Sequence, residues 1–412
     1  MRKTIADLMA ELLVARYPEG WASFYDEVMD EFDVHGCRFL TQEYYEWLDD
    51  TYAPFGKHRD LYLESAAAVR KSEALSRFFA LLCRALSDRE TVSADLAALD
   101  LPKHPTGEPD LAYDMLQGLA LCSQIPYCDE GMKKRGIPEQ LRHAVICSMA
   151  ASVDKYMERH GGRPGYHLLV WHQYTLDGRL YVLGRLQYEL FSTFKVKAVV
   201  YRNAAGESIA LADGVTLHRD GFPLGARGYE DAEGSFTPTV TETEDAYVGH
   251  PYDGRGYVGR EAVTLKKSEW TRAVGYGDTV IGVHIPAGGK LTDEAVADSI
   301  EECERFLAKH FPEARPKAYV CGSWMMNPML SDMLGAESNL GKFSSRFSPM
   351  GLRSAGTGIF NFVFLKPDMS FDPTELPENT NLERILKAHT LAGKPFHEYY
   401  GYFFTEMTSK NA

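Results

Sequence analysis

From residue 3 to about residue 160, apolar positions recur every third or fourth residue, the spacing of one buried face of an α-helix. Leu61, Leu63, Ala66 to Val69, Leu75, Phe78, Phe79, Leu82 and Cys83 predict one or two packed helices. A further helix starts at Pro138, a favoured first helical residue, and carries Leu141, Val145, Met149, Val153 and Met157 on one stripe. Gly161, Gly162 and Pro164 stop it. Two aromatic clusters, Trp21, Phe24 and Tyr25, then Tyr44, Tyr45 and Trp47, read as core or domain-interface residues rather than a ligand cage, and the polar stretch 84–110 as loop and short helix.

After residue 162 the period shortens towards two. Strands are expected at Tyr166–Tyr174 and Leu180–Phe191, flanking an Asp177-Gly178 hairpin turn, and at Lys195–Tyr201 and Ser208–Leu217. A glycine- and acid-rich segment, 219–260, shows little periodicity and reads as a long functional or mobile loop. Thr279–Ile285 is a β-branched strand and Pro286–Lys290 a glycine turn, after which Val296, Ile300, Cys303 and Leu307 mark one helix face. A strand at Ala318–Trp324, a helix from Pro328 to Phe347 and an apolar strand at Ile359–Leu365 complete the pattern. The class expected is α+β: an all-helical domain, residues 1–162, then a mixed α/β domain, residues 163–412, around a largely antiparallel sheet.

A chain of 412 residues exceeds the size at which one core keeps growing, consistent with two domains. A net charge of −14 argues against nucleic acid or an anionic membrane as partner. Asp7 and Glu11 interrupt any apolar signal core, and no run of about eighteen apolar residues occurs. The seven cysteines are scattered and contain no C-x-x-C. The expectation is a cytoplasmic, reduced, metal-free protein.

The glycine turn changes this picture. Gly288 and Gly289 lack Cβ atoms, so their N–H groups can approach a ligand closely, and the next helix adds its own unpaired N–H groups. That combination suits a pyrophosphate. The alternative is a plain turn between strand and helix, since the loop fits neither G-x-G-x-x-G nor the P-loop.

GRLQYEL (184–190), GDTVIGVHIPAGGKL (277–291), the helix containing Ser299, YVCGSWMMNPML (319–330) and SNLGKFSSRF (338–347) occur in order. In these segments the chain resembles a bacterial acyltransferase family in which a helical N-acyltransferase domain precedes a GNAT-like C-terminal domain. The resemblance implies acyl-CoA, such as acetyl-CoA, as cosubstrate, held between two splayed strands, Thr279–Ile285 and Ala318–Trp324. It implies a pyrophosphate loop made by Ile285, Ala287, Gly288, Gly289, Lys290 and Leu291, and a small-molecule amine as acceptor. The loop departs from the usual Q/R-x-x-G-x-G/A, and Pro286 contributes no N–H.

Acyl transfer to an amine needs a base, an oxyanion site and a proton for the departing thiolate. His284, ending a strand beside the loop, is the first candidate base, with Glu189 acting through a water as the second. Ser323, or Tyr399 or Tyr400 on an expected final helix, can supply the proton; helix capping is the other reading of Ser323. Two rival functions remain: a non-catalytic GNAT-derived binding protein, and a hydrolase built on Cys321 or Ser323.

Overall fold

The structure is a computed structural model that describes residues 3–88, 91–167, 169–366 and 371–411. The chain divides into two compact units, Met1–Tyr181 and Val182–Ala412.

The first unit is helical. Of the two aromatic clusters, Trp21, Tyr25 and Tyr45 are buried, together with Phe78 and Phe79, whereas Phe24 and Tyr44 are half-buried and Trp47 is exposed. The longest helix, Glu139–Arg159, has Pro138 as its N-cap and buries Val145, Met149 and Val153 from the expected stripe. The strand expected at Tyr166–Tyr174 is instead a helix, Leu169–Leu176, with Leu168 outside the described residues. Its apolar run lacks alternation, so periodicity could not decide its type. Asp177-Gly178 closes that helix and is no hairpin: Gly178 has φ +64°, and the Arg179 N–H reaches back 3.1 Å to the Tyr174 carbonyl.

The second unit holds most of the strands. In chain order they are β1 (Leu180–Leu183), β2 (Leu186–Thr193), β3 (Ala198–Asn203), β4 (Ser208–Ala212), β5 (Thr241–Glu242) and β6 (Ala246–Pro251), then β7 (Val263–Lys266), β8 (Trp270–Gly275), β9 (Thr279–His284), β10 (Tyr319–Ser323), β11 (Ser348–Gly351) and β12 (Tyr399–Phe403). The unit boundary falls within β1. One sheet runs β1-β2-β9-β10-β12-β11; the other runs β5-β6-β4-β3-β8, with β7 on β6. Thus the segment 219–260 contributes two strands to a sheet and is not one long loop. The apolar stretch at 359–365 is the helix Gly358–Val363. Gly335, at φ +88°, breaks the expected long helix into Pro328–Leu334 and Asn339–Ser345. Tyr399 and Tyr400 lie on β12, not on a helix.

In the first sheet β9 and β10 are parallel, joined by the helix Asp293–His310, while β2·β9, β10·β12 and β11·β12 are antiparallel. Val280, Val320, Met350, Tyr400 and Tyr402 on one face pack against Val196, Ala198, Val200, Ala210 and Val274 around β3, β4 and β8. Tyr188 on the other face meets the helix through Ser299. The alternation of side chains along a strand produces these two faces.

A carboxylate fastens the N-terminal ends of β9 and β10. Asp278 accepts from the Gly275 N–H at 2.8 Å, and its carboxylate meets Lys317 Nζ and Arg272 Nη2, each at 2.9 Å. Burial pushes the Asp278 pKa up, but Lys317, the Gly275 N–H and Arg272 bring it to a net value below the ordinary one. A group whose folded pKa is depressed stabilises above its unfolded pKa, near 4, and loses that contribution as pH falls through its folded value. We therefore expect Asp278→Asn to lower the unfolding free energy by about 2 kcal/mol at pH 7. In urea denaturation the gap between wild type and variant should narrow at about pH 3. A gap equal at both pH values would remove the charged clamp.

Candidate functional site

The N-terminal ends of β9 and β10 pair for only two residues, Tyr319 with Ile281 and Val320 with Gly282. Both strands continue, to His284 and to Ser323, each held by its outer neighbour: β2 pairs with β9 as far as His284, and β12 with β10 as far as Ser323. The strands therefore splay into a V, opening towards the glycine loop. Gly322, although in a central strand, is solvent-exposed on the β10 side of this opening.

On one face of the V lie Glu189, Gly282 and His284. Glu189 sits opposite Gly282 in the β2·β9 register, which places their side-chain positions on the same face. His284, two residues further, shares it. Glu189 is buried, and His284 Nε2 lies 3.4 Å from Glu189 Oε2. Gly282 makes this possible: a Cβ there would stand 3.2 Å from Glu189 Cβ and 3.4 Å from His284 Nε2. Directly after Glu189 the register shifts, and Phe191 takes φ +57°. Such a bulge twists a strand and re-aims its neighbours. The structure therefore brings two of the sequence-predicted residues, His284 and Glu189, into one pair.

Ser323 is placed differently. Its Oγ accepts from the Met325 N–H at 3.1 Å, capping a short 3₁₀ turn, and strand alternation points it to the opposite face from His284. Tyr400 opposes Gly322, but its hydroxyl lies 3.4 Å from the Thr193 carbonyl. Cys321 is buried, and burial pushes its thiol up to about 12, so it is not a thiolate near neutral pH.

The loop has the required conformational freedom, with Gly288 at φ +90° and Gly289 at φ +63°. The N–H groups of Gly288, Gly289 and Lys290 have no acceptor among the described residues. Thr292 caps the helix Asp293–His310 through the Ala295 N–H at 3.3 Å, leaving the N–H groups of Asp293 and Glu294 without an intrahelical acceptor. Ile285 and Leu291 are half-buried, whereas Ala287 and Lys290 are exposed.

One cation in this loop was not among the sequence-predicted residues. Arg185 Nη1 donates to the Pro286 carbonyl at 3.0 Å, and its Cδ and Nε lie 3.5 Å from the position a Cβ on Gly289 would take. Its Nε is buried without a partner among the described residues. The signal available in sequence was only its place in GRLQYEL, about a hundred residues from the loop; the contact is tertiary.

Arg185 is delivered by a turn that Ser299 holds. The Ser299 hydroxyl donates to the Leu183 carbonyl at 2.5 Å and accepts from the Leu186 N–H at 3.1 Å and from Tyr188 at 2.9 Å. Gly184, at φ +59°, lies so close that a Cβ would approach Ser299 Cβ to 3.1 Å. Across the helix N-terminus, Arg346 Nη2 pairs with Asp293 Oδ1 at 2.5 Å, offsetting one of the acids there.

Residues 180–403 match the GNAT-like C-terminal domain family, more than half of the chain, which therefore belongs to that family. No curated protein matches. Among solved structures, an acyltransferase in complex with decanoyl-CoA and teicoplanin aligns with 19% identity and a TM-score of 0.60, covering 96% of this chain and 98% of its own. An acyltransferase in complex with CoA and 10C-teicoplanin aligns at 18% and 0.60, with the same coverage. An acyltransferase mutant in complex with octanoyl-CoA aligns at 19% and 0.60, over 97% and 99%. The chain thus has the GNAT-like acyltransferase fold, and the likeness extends through the helical first unit. Among the described residues there is no cluster of three or more potential metal ligands, and no helix is long and apolar enough to cross a membrane.

Ser299→Ala leaves the Leu183 carbonyl, the Leu186 N–H and the Tyr188 hydroxyl without their shared partner, so it should destabilise by about 2–3 kcal/mol. Urea unfolding measures this; a loss under about 0.5 kcal/mol would mean that the turn does not depend on the serine.

Proposed function

We propose that this member of the GNAT-like C-terminal domain family transfers an acyl group from acyl-CoA to an amine by direct attack. The observation that carries the reading is the V between β9 and β10, opening beside an unpartnered glycine loop and a helix N-terminus. A thioester fits where two strands part, because strand N–H groups released from pairing become available to its carbonyl oxygen as negative charge develops. The phosphates fit the N–H groups of Gly288, Gly289 and Lys290. Arg185 supplies there the positive charge that Pro286, lacking an N–H, cannot reinforce.

In the proposed reaction the neutral amine attacks the thioester carbon, the new C–N bond forms, and the C–S bond breaks to release the CoA thiolate. His284 takes the proton from the amine nitrogen, directly or through a water. Glu189 acts as a positioning residue: it orients the imidazole and stabilises the positive charge it acquires. The thiolate is protonated by solvent or by the proton His284 has gained. The high thiol pKa of Cys321 and the capping role of Ser323 speak against the hydrolase alternative. The acyltransferases of the same fold bind octanoyl-CoA and decanoyl-CoA, so medium-chain donors belong in the test beside acetyl-CoA.

Isothermal titration with acetyl-, octanoyl- and decanoyl-CoA should show binding by at least one, weakened about tenfold by Arg185→Met. No binding by any of the three to the folded chain sinks the proposal. With a donor that binds, His284→Ala should lower turnover by about a hundredfold while acyl-CoA affinity stays constant. Glu189→Gln should give a smaller loss in the same direction. Binding without turnover for any amine in a broad panel would favour the non-catalytic alternative.

A further inference from the structure

Beyond β11 and β12, at the edge of the sheet where β9 and β10 open, lies a cavity of about 420 Å³ lined by Gly225, Arg227, Glu230, Arg353, Ser354 and Ala355. Arg353 follows the end of β11 by two residues, and Gly351 at that end pairs with Tyr399, which pairs with Ser323. By strand spacing the cavity stands on the order of 10 Å from β10, on the side away from the glycine loop.

The loops that carry the two arginines are tied together, and the Arg353 side chain packs against Gly225, while both arginines are exposed to solvent. Gly225, at φ +82°, lies against the Arg353 guanidinium so closely that a Cβ there would come within 2.9 Å of Nε. The Arg227 N–H donates to the Ser354 carbonyl at 3.2 Å, and Ser354 Oγ accepts from the Glu398 N–H at 3.1 Å, tying both loops to the start of β12. Among the described residues neither guanidinium has an ion-pair partner, although the chain carries 58 acidic residues against 44 basic ones. Arg16, Arg59, Arg77, Arg142, Arg219, Arg255 and Arg305 each meet a carboxylate. Glu230, the one acid lining the cavity, accepts from the Gly228 N–H at 2.9 Å, and that bond together with the charge of Arg227 holds its carboxyl below the ordinary value. His397, one residue before Glu398, is buried with neither ring nitrogen hydrogen-bonded among the described residues.

We infer that Arg227 and Arg353 form a carboxylate subsite for the acceptor, which is an amine bearing an acid group on the order of 10 Å from its nitrogen. The inference rests on the acyl-transfer reading: with the amine at the V, an extended acceptor of about three residues' length reaches the arginines. Two arginines lining one cavity can offer it forked donors that match the geometry of a carboxylate. The phosphates of acyl-CoA have their own candidate cradle at Gly288, Gly289 and Arg185, on the other side of the V.

Triglycine and triglycine amide differ only in the terminal carboxylate and span about this distance when extended. Isothermal titration of the full chain with each, for wild type, Arg227→Met and Arg353→Met, reads the subsite directly. Triglycine should bind at least about tenfold more tightly than its amide, the preference should vanish in either variant, and acyl-CoA affinity should be unchanged in both. Equal binding of the two peptides, absence of binding by both, or a preference that survives both substitutions overturns the subsite. A tenfold loss of acyl-CoA affinity in both variants assigns the arginines to a phosphate of the cosubstrate and overturns it equally. Wild-type protein that prefers triglycine yet binds no acyl-CoA sinks the acyltransferase reading and leaves the carboxylate subsite standing. Arg353→Lys, which keeps the charge but not the fork, should retain part of the preference and guards against a loss of fold.

Discussion

The release of backbone pairing between β9 and β10 beyond Gly282 and Val320 is the constraint on which the site depends. At the N-terminal ends the strands are tied by the Ile281 N–H to the Ala318 carbonyl at 2.9 Å, the Lys317 N–H to the Thr279 carbonyl at 3.0 Å, and the Asp278 carboxylate across both. Past that point each strand is satisfied on one side by an antiparallel neighbour, β2 or β12. Central strands in a sheet normally bury their backbone groups in pairs, because an unpaired buried N–H or C=O is costly. A site that presents strand N–H groups to a ligand must therefore clamp one end firmly and leave the other to solvent.

What lines the opening follows from which side chains are absent as much as from those present. Gly282 leaves room for the carboxylate of Glu189 beside His284, and Gly322 keeps the β10 side of the V exposed. The same logic governs the loop. Pro286 costs the cradle an N–H but offers a carbonyl, and that carbonyl holds Arg185 over Gly289. Ser299, from within the crossover helix, fixes the turn that carries Arg185. One helix therefore contributes its N-terminus to the loop and its middle to the placement of the cation.

The two faces of the sheet carry different residues. The face bearing Tyr400 and Val320 packs into an apolar core with the second sheet, and Glu189 and His284 share that face on the β2 and β9 side of the V. The opposite face is covered by the crossover helix, and there Cys321 and Ser323 serve as a buried thiol and a cap. Strand alternation makes this division sharp: residues one apart, such as Gly322 and Ser323, have different roles.

Sequence alone determined the order strand, glycine loop, capped helix, strand, because β-branched runs, paired glycines and a stripe at Val296, Cys303 and Leu307 are local signals. It also named His284 and Glu189, which the structure pairs, and a loop whose two glycines take positive φ. It misread the apolar runs at 166–174 and 359–365, where hydrophobicity without a period fits a buried helix as well as a strand, and it placed Tyr399 and Tyr400 on a helix although they form β12. Only the tertiary structure decided that β9 and β10 part after two pairs, that Glu189 reaches His284, and that Arg185 reaches Pro286. The two side-chain contacts join residues about a hundred positions apart, and all three features depend on register and packing, which no local pattern encodes.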